Sequence, residues 1–428
     1  MAFSLFGFFF ITLIFFISKN DLVFNFIIIN SIFLFSFFTY FNFKKYFFQK
    51  NYSPRESHLI ASLICYLTLF FSKNGMETSM AVFFFSLSLI YLKRNILIFC
   101  LLSFFCFLSR LEFLIFYFVF LINELFVNKK IFDKNFIIKL CLMPLLIILY
   151  MSINLYYFDI PFPESGIAKS FSNTLLFNKE TFTFLYSSGY GMKFISLMFY
   201  FNCIGIFFLF SKKIKVFTKI SLLTTFLFFV SNSLRSAWPL WTWHFFFLGI
   251  SSSVLFNDFL NFNKFRYIHY AAKMIGVFFV TVYIFLFIKN FNVNNDHILN
   301  IADKIANHYA DSPYEIFAMG DMAGKVSYLL DKKLIQLEGL VGGKKILKRI
   351  QKEENLCNLF KDLGVDIYLT AKINKIDEIY YVEEPSQSSV NVKKMKGKLK
   401  IKPEKTFSSA DLNVYAFNLV NNKLCISN

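Results

Sequence analysis

Apolar runs separated by short polar breaks dominate the first 288 residues and change character after that point. The runs predict about eleven membrane segments, at roughly 2–18, 22–43, 57–72, 79–92, 96–109, 113–127, 136–157, 193–210, 220–234, 239–260 and 274–288. Several are shorter than the ~20 residues a straight span needs. The runs 96–109 and 113–127 flank Arg110 and Glu112 and read as a hairpin reaching partway into the bilayer, a form tolerated where the turn is buried in protein. The first run begins at Met1 without a cationic leader or a small-residue cleavage site, so it is not read as a cleaved signal peptide.

From about residue 289 strand and helix patterns alternate. Tyr314 to Gly320 reads as a buried strand, Asp321 to Leu330 as a helix and Lys333 to Leu337 as a second strand. A basic helix over 343–362 and a strand from Val365 to Thr370 follow, with further strands at Tyr380-Tyr381-Val382 and 412–417. The fold expected is a membrane all-α polytopic bundle over 1–288, followed by a small soluble α/β domain over 289–428 with a partly parallel sheet.

Composition supports the membrane reading: 56% of residues are hydrophobic, 21% are aromatic, and the mean hydropathy is +0.53. The 65 Phe, beside many Ile, Lys and Asn, reflect codon bias as much as a physical demand, so they are not read as aromatic recognition. A net charge of +18 suggests nucleic acid only until the basic residues are placed. They stand between apolar runs rather than on one face, so nucleic acid is not an expected partner. One alternate set of loops carries seventeen Lys and Arg, from Lys44 to Lys273; the other carries seven: Lys19, Lys73, Arg110, Lys169, Lys179, Lys193 and Arg235. The richer set is therefore cytoplasmic. The N-terminus then lies inside, and the C-terminal domain lies outside the plasma membrane.

Five of the seven cysteines sit in apolar runs as small buried hydrophobes. Cys357 and Cys425 lie in the polar tail, free to pair if it faces an oxidising space. No CxxC or clustered His/Cys spacing points to a zinc site. Gly320-Asp321-Met322-Ala323-Gly324 lacks a third glycine and a Lys-Ser/Thr pair, so it reads as a tight strand-to-helix turn rather than a nucleotide loop.

Four polar features then share the outer side. Glu77 is a rare acid at a membrane edge; beside Gly75 and Thr78 it suits a helix start as well as a site. Arg110 and Glu112 form the second feature. The third is the loop Pro161-Phe162-Pro163-Glu164-Ser165-Gly166-Ile167-Ala168-Lys169, where two prolines stiffen the approach to one lysine. The fourth is Arg235 with Trp238, Trp241, Trp243 and His244, suited to an interfacial belt first and to stacking on a sugar second. Transfer from a lipid-linked phosphate needs such groups: a carboxylate to take the acceptor's proton and cations to hold the leaving phosphate.

The Gly75-Met76-Glu77-Thr78 stretch, the Ser109-Arg110-Leu111-Glu112 turn and the Pro161-Phe162-Pro163…Ala168-Lys169 loop resemble motifs of bacterial GT-C membrane glycosyltransferases, and most nearly those similar to the mycobacterial terminal arabinofuranosyltransferase. Gly320-Asp321…Gly324…Tyr328 and Leu337-Glu338-Gly339-Leu340 look like segments of that family's extracytoplasmic domain. The resemblance covers about residues 20–370. It implies a multi-pass inner-membrane enzyme that takes a sugar from a polyprenyl-phosphate donor and adds it to an envelope glycan or glycolipid acceptor. Glu77 would line the site, Arg110 and Lys169 would hold the donor phosphate, and Glu112 would orient Arg110. No bound cofactor is implied, and the question of a divalent metal stays open.

The family also carries an acidic pair in a long first outer loop, which supplies the base. Here that loop is only Lys19-Asn20-Asp21, and Asp21 is a poor substitute. The chain then either lacks an upstream segment with its base or is a degenerate relative. Competing expectations are an O-antigen polymerase or ligase, a lipid-linked sugar flippase, and a non-catalytic membrane subunit. A flippase would show inverted repeats and mid-membrane charges, and neither is evident. The polymerase reading does not account for a C-terminal α/β domain of this size.

Overall fold

The computed structural model describes residues 21–72, 76–127, 133–170, 177–187, 189–236, 238–262, 297–339, 343–386, 392–409, 412–420 and 425–426. Each apolar run predicted between 22 and 260 contains a helix, although 207–210 and 239–241 are not helical, and the runs 2–18 and 274–288 lie outside the described residues. The helices are α1 (Asp21–Gln49), α2 (Pro54–Phe71), α3 (Met76–Tyr91), α4 (Ile96–Ser109), α5 (Phe113–Ile122), α6 (Lys134–Leu140), α7 (Leu142–Phe158), α8 (Glu164–Lys169), α9 (Tyr190–Ile206), α10 (Val216–Arg235) and α11 (Phe246–Phe262). Their starts are set locally. Ser53 and Glu56 close a reciprocal capping box ahead of Pro54, Asn95 accepts the Leu97 and Ile98 amides, and Asp133 accepts that of Phe136.

Among the described residues, two stretches are long and apolar enough to cross a membrane: Lys134–Phe158, which joins α6 to α7, and Val216–Arg235. The helices Glu77–Tyr91, Ile96–Ser109, Phe113–Val127 and Gly191–Ile206 are apolar but shorter. At 1.5 Å per residue α4 is about 21 Å long, well under a ~30 Å hydrocarbon layer. Aromatic side chains fill the bundle core: Phe113 stacks on Phe246 with ring centroids 4.7 Å apart, and Phe85 meets Phe116 edge to face at 4.3 Å. At one end of the bundle the Lys215 ammonium pairs with Glu56 at 2.9 Å, and Asp258 accepts the Lys215 amide and the Thr218 hydroxyl. These contacts hold the termini of α2, α10 and α11 together.

The C-terminal part begins with α12 (His297–Tyr309), so the expected boundary at 288/289 falls outside the described residues. Five strands form one sheet in the order β2 (Lys333–Gln336), β1 (Ile316–Met319), β3 (Ile367–Thr370), β8 (Leu412–Asn418) and β7 (Lys405–Ser409). β1 pairs parallel with both β2 and β3, whereas β8 runs antiparallel to β3 and β7. The side-chain period of two explains why β1 and β3 are apolar throughout. Phe317, Met319, Ile367 and Leu369 pack under α12, while Ala318 and Tyr368 face α14 (Gly343–Gln351) and α15 (Leu356–Leu363) on the other side.

A short helix, α13 (Ala323–Leu329), follows β1 through a turn in which Met322 is left-handed. The single basic helix expected over 343–362 is instead two. Glu353 adopts φ 53°, which ends α14, and Asn355 caps α15 by accepting the Cys357 amide. A second, antiparallel sheet has the order β4 (Asn374–Ile376), β5 (Ile379–Glu384), β6 (Met395–Leu399) and β9 (Cys425–Ile426). Cys357 and Cys425 form a disulfide that ties α15 to β9.

Candidate functional site

The Ser109-Arg110-Leu111-Glu112 turn joins α4 to α5. Arg110 caps α4 in an extended conformation, with its backbone N–H donating to the Cys106 carbonyl. Its side chain is 8% exposed and reaches Glu112, Nη2 to Oε1, at 2.9 Å. The guanidinium lies 5.6 Å from the Phe246 ring centroid, and that ring stacks on Phe113, the neighbour of Glu112. The turn and the start of α11 are thereby locked together. Arg110 Nε is buried without a hydrogen-bond partner. A buried cationic donor left unsatisfied is costly unless an anion joins it.

Glu77 lies in the first turn of α3, and the preceding residues 73–75 lie outside the described part. The buried Thr78 hydroxyl donates to the Trp243 carbonyl at 3.4 Å, which fixes the start of α3 against the Trp241–His244 turn. His244 is buried there, and its Nδ1 accepts the Trp241 amide at 3.1 Å. The charges of Lys169 and Arg110 both act on that ring.

The lysine arrives by the proline loop. Asp159 ends α7 in the left-handed region, Asn154 donates to the Pro161 carbonyl, and α8 follows Pro163. Lys169 is half-buried at the end of α8. Loss of solvent pushes its ammonium below the ordinary lysine range and the Arg110 charge adds to this, while Glu112, Glu77 and Glu338 oppose it. Arg110, Glu112, Lys169, Glu77 and His244, which stand in four separate stretches of sequence, therefore form one electrostatic cluster.

The other expected residues take different positions. Glu164 Oε2 accepts the Gly343 amide at 2.8 Å, so this carboxylate holds the C-terminal part rather than facing the cluster. Arg235 is exposed at the last residue of α10. Trp238 stands apart from the other two tryptophans. Trp238 is buried against Val392 of the C-terminal part, and Trp241 is 46% exposed and stacks on Trp243 at 5.7 Å. Asp21 opens α1, and its side chain is outside the described part.

Sequence reasoning passed over the acids that the C-terminal part contributes. Glu338 follows β2, is 6% exposed and accepts from Gln336 Nε2 at 3.0 Å. Burial pushes its carboxyl up to about 7; the Asp321 charge adds to the rise, and the Gln336 hydrogen bond and the Lys169 charge oppose it. Glu384 is fully buried and accepts from the Tyr368 hydroxyl at 2.8 Å and from the Ser386 amide at 2.9 Å. Burial raises it to about 8. Glu384 also lies against Gly320, where a side chain would collide with the carboxylate. Asp321 and Glu338 follow the C-terminal ends of parallel strands, the edge at which open α/β sheets carry ligands. That position was the signal available in the sequence.

Among the described residues no group of three or more His, Cys, Asp or Glu is arranged to hold a metal ion. The chain matches no protein-family model, no curated protein and no solved structure.

Proposed function

We propose that the chain is a multi-pass membrane glycosyltransferase that moves a sugar from a polyprenyl-phosphate donor to an envelope glycan or glycolipid on the extracytoplasmic face. The observation that carries this reading is the buried Arg110, whose Nε lacks a partner, in one cluster with Lys169. Two cations held in a partly dehydrated setting suit a leaving phosphate better than a neutral ligand. In the proposed step an acceptor hydroxyl oxygen attacks the anomeric carbon, and the bond from that carbon to the phosphate oxygen breaks. Polyprenyl monophosphate leaves with the electron pair, held by Arg110 and Lys169. Glu112 orients Arg110, and Glu77 lines the site.

A membrane setting with about eleven segments and a cytoplasmic N-terminus accounts for the exposed apolar surface along α7, where Leu145, Ile148, Leu149, Ile153 and Leu155 all point outward. An extracytoplasmic C-terminal part accounts for the Cys357–Cys425 disulfide. The test is turnover by purified protein supplied with labelled polyprenyl-phosphate sugars and an envelope-glycan acceptor. Transfer that is lost in Arg110→Ala and Lys169→Ala proteins which still insert is the expected result. Translocation of the donor across vesicles without transfer would replace this reading by a flippase.

A further inference from the structure

The proposed transfer needs a group to take the acceptor's proton, and most nearby acids of the membrane part are engaged. Glu112 is committed to Arg110 at 2.9 Å, and Glu164 to the Gly343 amide. Glu77 sits in the first turn of α3, at the positive end of the helix dipole. Glu384 is enclosed by Tyr368 and Ser386.

Glu338 accepts from a neutral donor, Gln336 Nε2 at 3.0 Å, and follows a strand rather than opening a helix. It is brought near the cluster by the seam between the two parts: a Cβ built on Gly339 would stand 3.5 Å from the Ala168 methyl. Lys169 and Glu338 are the chain neighbours of that pair. The Gly343 amide on Glu164 and the Lys344–Asp159 pair at 3.8 Å hold the same seam. The Glu338 charge also acts on Lys169.

Resting on the transferase reading, we infer that Glu338 is the general base, supplied to the membrane cluster by the C-terminal part. As the acceptor oxygen bonds to the anomeric carbon, its proton passes to a Glu338 carboxylate oxygen, and the phosphate departs as an anion. Burial beside Asp321 gives this carboxyl the basicity of a neutral-pH base.

The experiment compares full-length wild-type, Glu338→Gln and Glu338→Ala proteins with a labelled polyprenyl-phosphate sugar and an acceptor glycan, measuring donor binding and transfer separately. Both variants are expected to bind donor within about twofold of wild type and to transfer at least 10²-fold more slowly, the span of a general base. Wild-type kcat/KM should rise with pH through about 7. The residual rate of Glu338→Gln should lack that rise, and formate should restore part of the Glu338→Ala rate, which a structural role would not produce. Wild-type turnover with unchanged turnover in Glu338→Gln, or slow variants with an unaltered pH profile and no formate rescue, overturns the inference alone. Absence of turnover by wild type on every donor overturns the transferase reading, and this inference with it.

Discussion

Gly339, in the loop after β2, lies so near Ala168 in α8 that a Cβ on it would stand 3.5 Å from the Ala168 methyl, and Glu338 and Lys169, whose charges act on each other, are their chain neighbours. Only glycine suits the position. Its φ is +73°, and a Cβ there would stand 2.8 Å from Ile350 Cδ1 and 3.0 Å from Leu347 Cδ2. Gly339→Val is therefore expected to destabilise the C-terminal part by about 1–3 kcal/mol through backbone strain, in addition to the side-chain clash. It should also slow transfer by moving Glu338 from Lys169. Thermal unfolding and initial rates measured on the same preparation check this, and an unchanged melting midpoint would refute it.

Arg110 offers a second measurement. Lysine at this position keeps the charge but loses the Nε donor and the planar fork that meets both Glu112 and an oxyanion. Arg110→Lys is expected to reduce kcat/KM for a polyprenyl-phosphate sugar by about 10²-fold, as removal of a preorganised donor does elsewhere. Glu112→Gln leaves the guanidinium present but loosely held, so its loss should be smaller. A lysine variant with wild-type kcat/KM would show that Nε does no work on the donor.

The helices were legible because their signals are local and repeated. The polar breaks between apolar runs hold Ser53, Asn95 and Asp133, whose side chains cap the next helix, and most predicted limits fall close to the observed ones, the run 239–260 excepted, where the α-helix starts only at Phe246. β1 and β3 were legible because both faces of these strands are buried, which leaves an uninterrupted apolar run. β6, with the sequence Met-Lys-Gly-Lys-Leu, and β7, with Lys-Thr-Phe-Ser-Ser, were missed, since two lysines and a glycine in the first and four polar or charged residues in the second hide the alternation. The break at Glu353 was missed because a left-handed glutamate has no composition of its own. In the site, Arg110, Glu112 and Lys169 stood out as charges among apolar residues. Glu338 did not, because it is a single acid in a polar tail whose burial is set by the tertiary fold and not by neighbouring residues in the chain.

Glu384 makes stability depend on pH. Its carboxyl is raised from 4.5 to about 8 by burial, so the folded protein holds this proton more tightly than the unfolded chain. The resulting stabilisation is fully present below about 4.5 and is lost as pH rises through about 8, at about 1.4 kcal/mol per pH unit within that window. Glu384→Gln mimics the protonated form and can still accept the Ser386 amide. Its unfolding midpoint is expected to be nearly flat from pH 5 to pH 8, where that of wild type falls. Parallel slopes for the two proteins in a denaturant series would disprove the assignment.

The Cys357–Cys425 bridge closes a loop of 68 residues and fastens the two-residue strand β9 to α15. By chain entropy alone such a link is worth about 2–5 kcal/mol. Cys357 is buried at 7% exposure beneath β6, so Cys357→Ser also places a hydroxyl among apolar neighbours. Cys425→Ser is the cleaner variant, since Cys425 is only half-buried. In the absence of reductant, Cys425→Ser should unfold at lower denaturant than wild type by an amount within that range. With reductant the two curves should converge. If the C-terminal part faces an oxidising space, protein taken directly from membranes under acid quench should show both thiols blocked to maleimide until it is reduced. Immediate labelling of Cys425 would place this part in a reducing compartment and move the proposed site to the opposite face of the membrane.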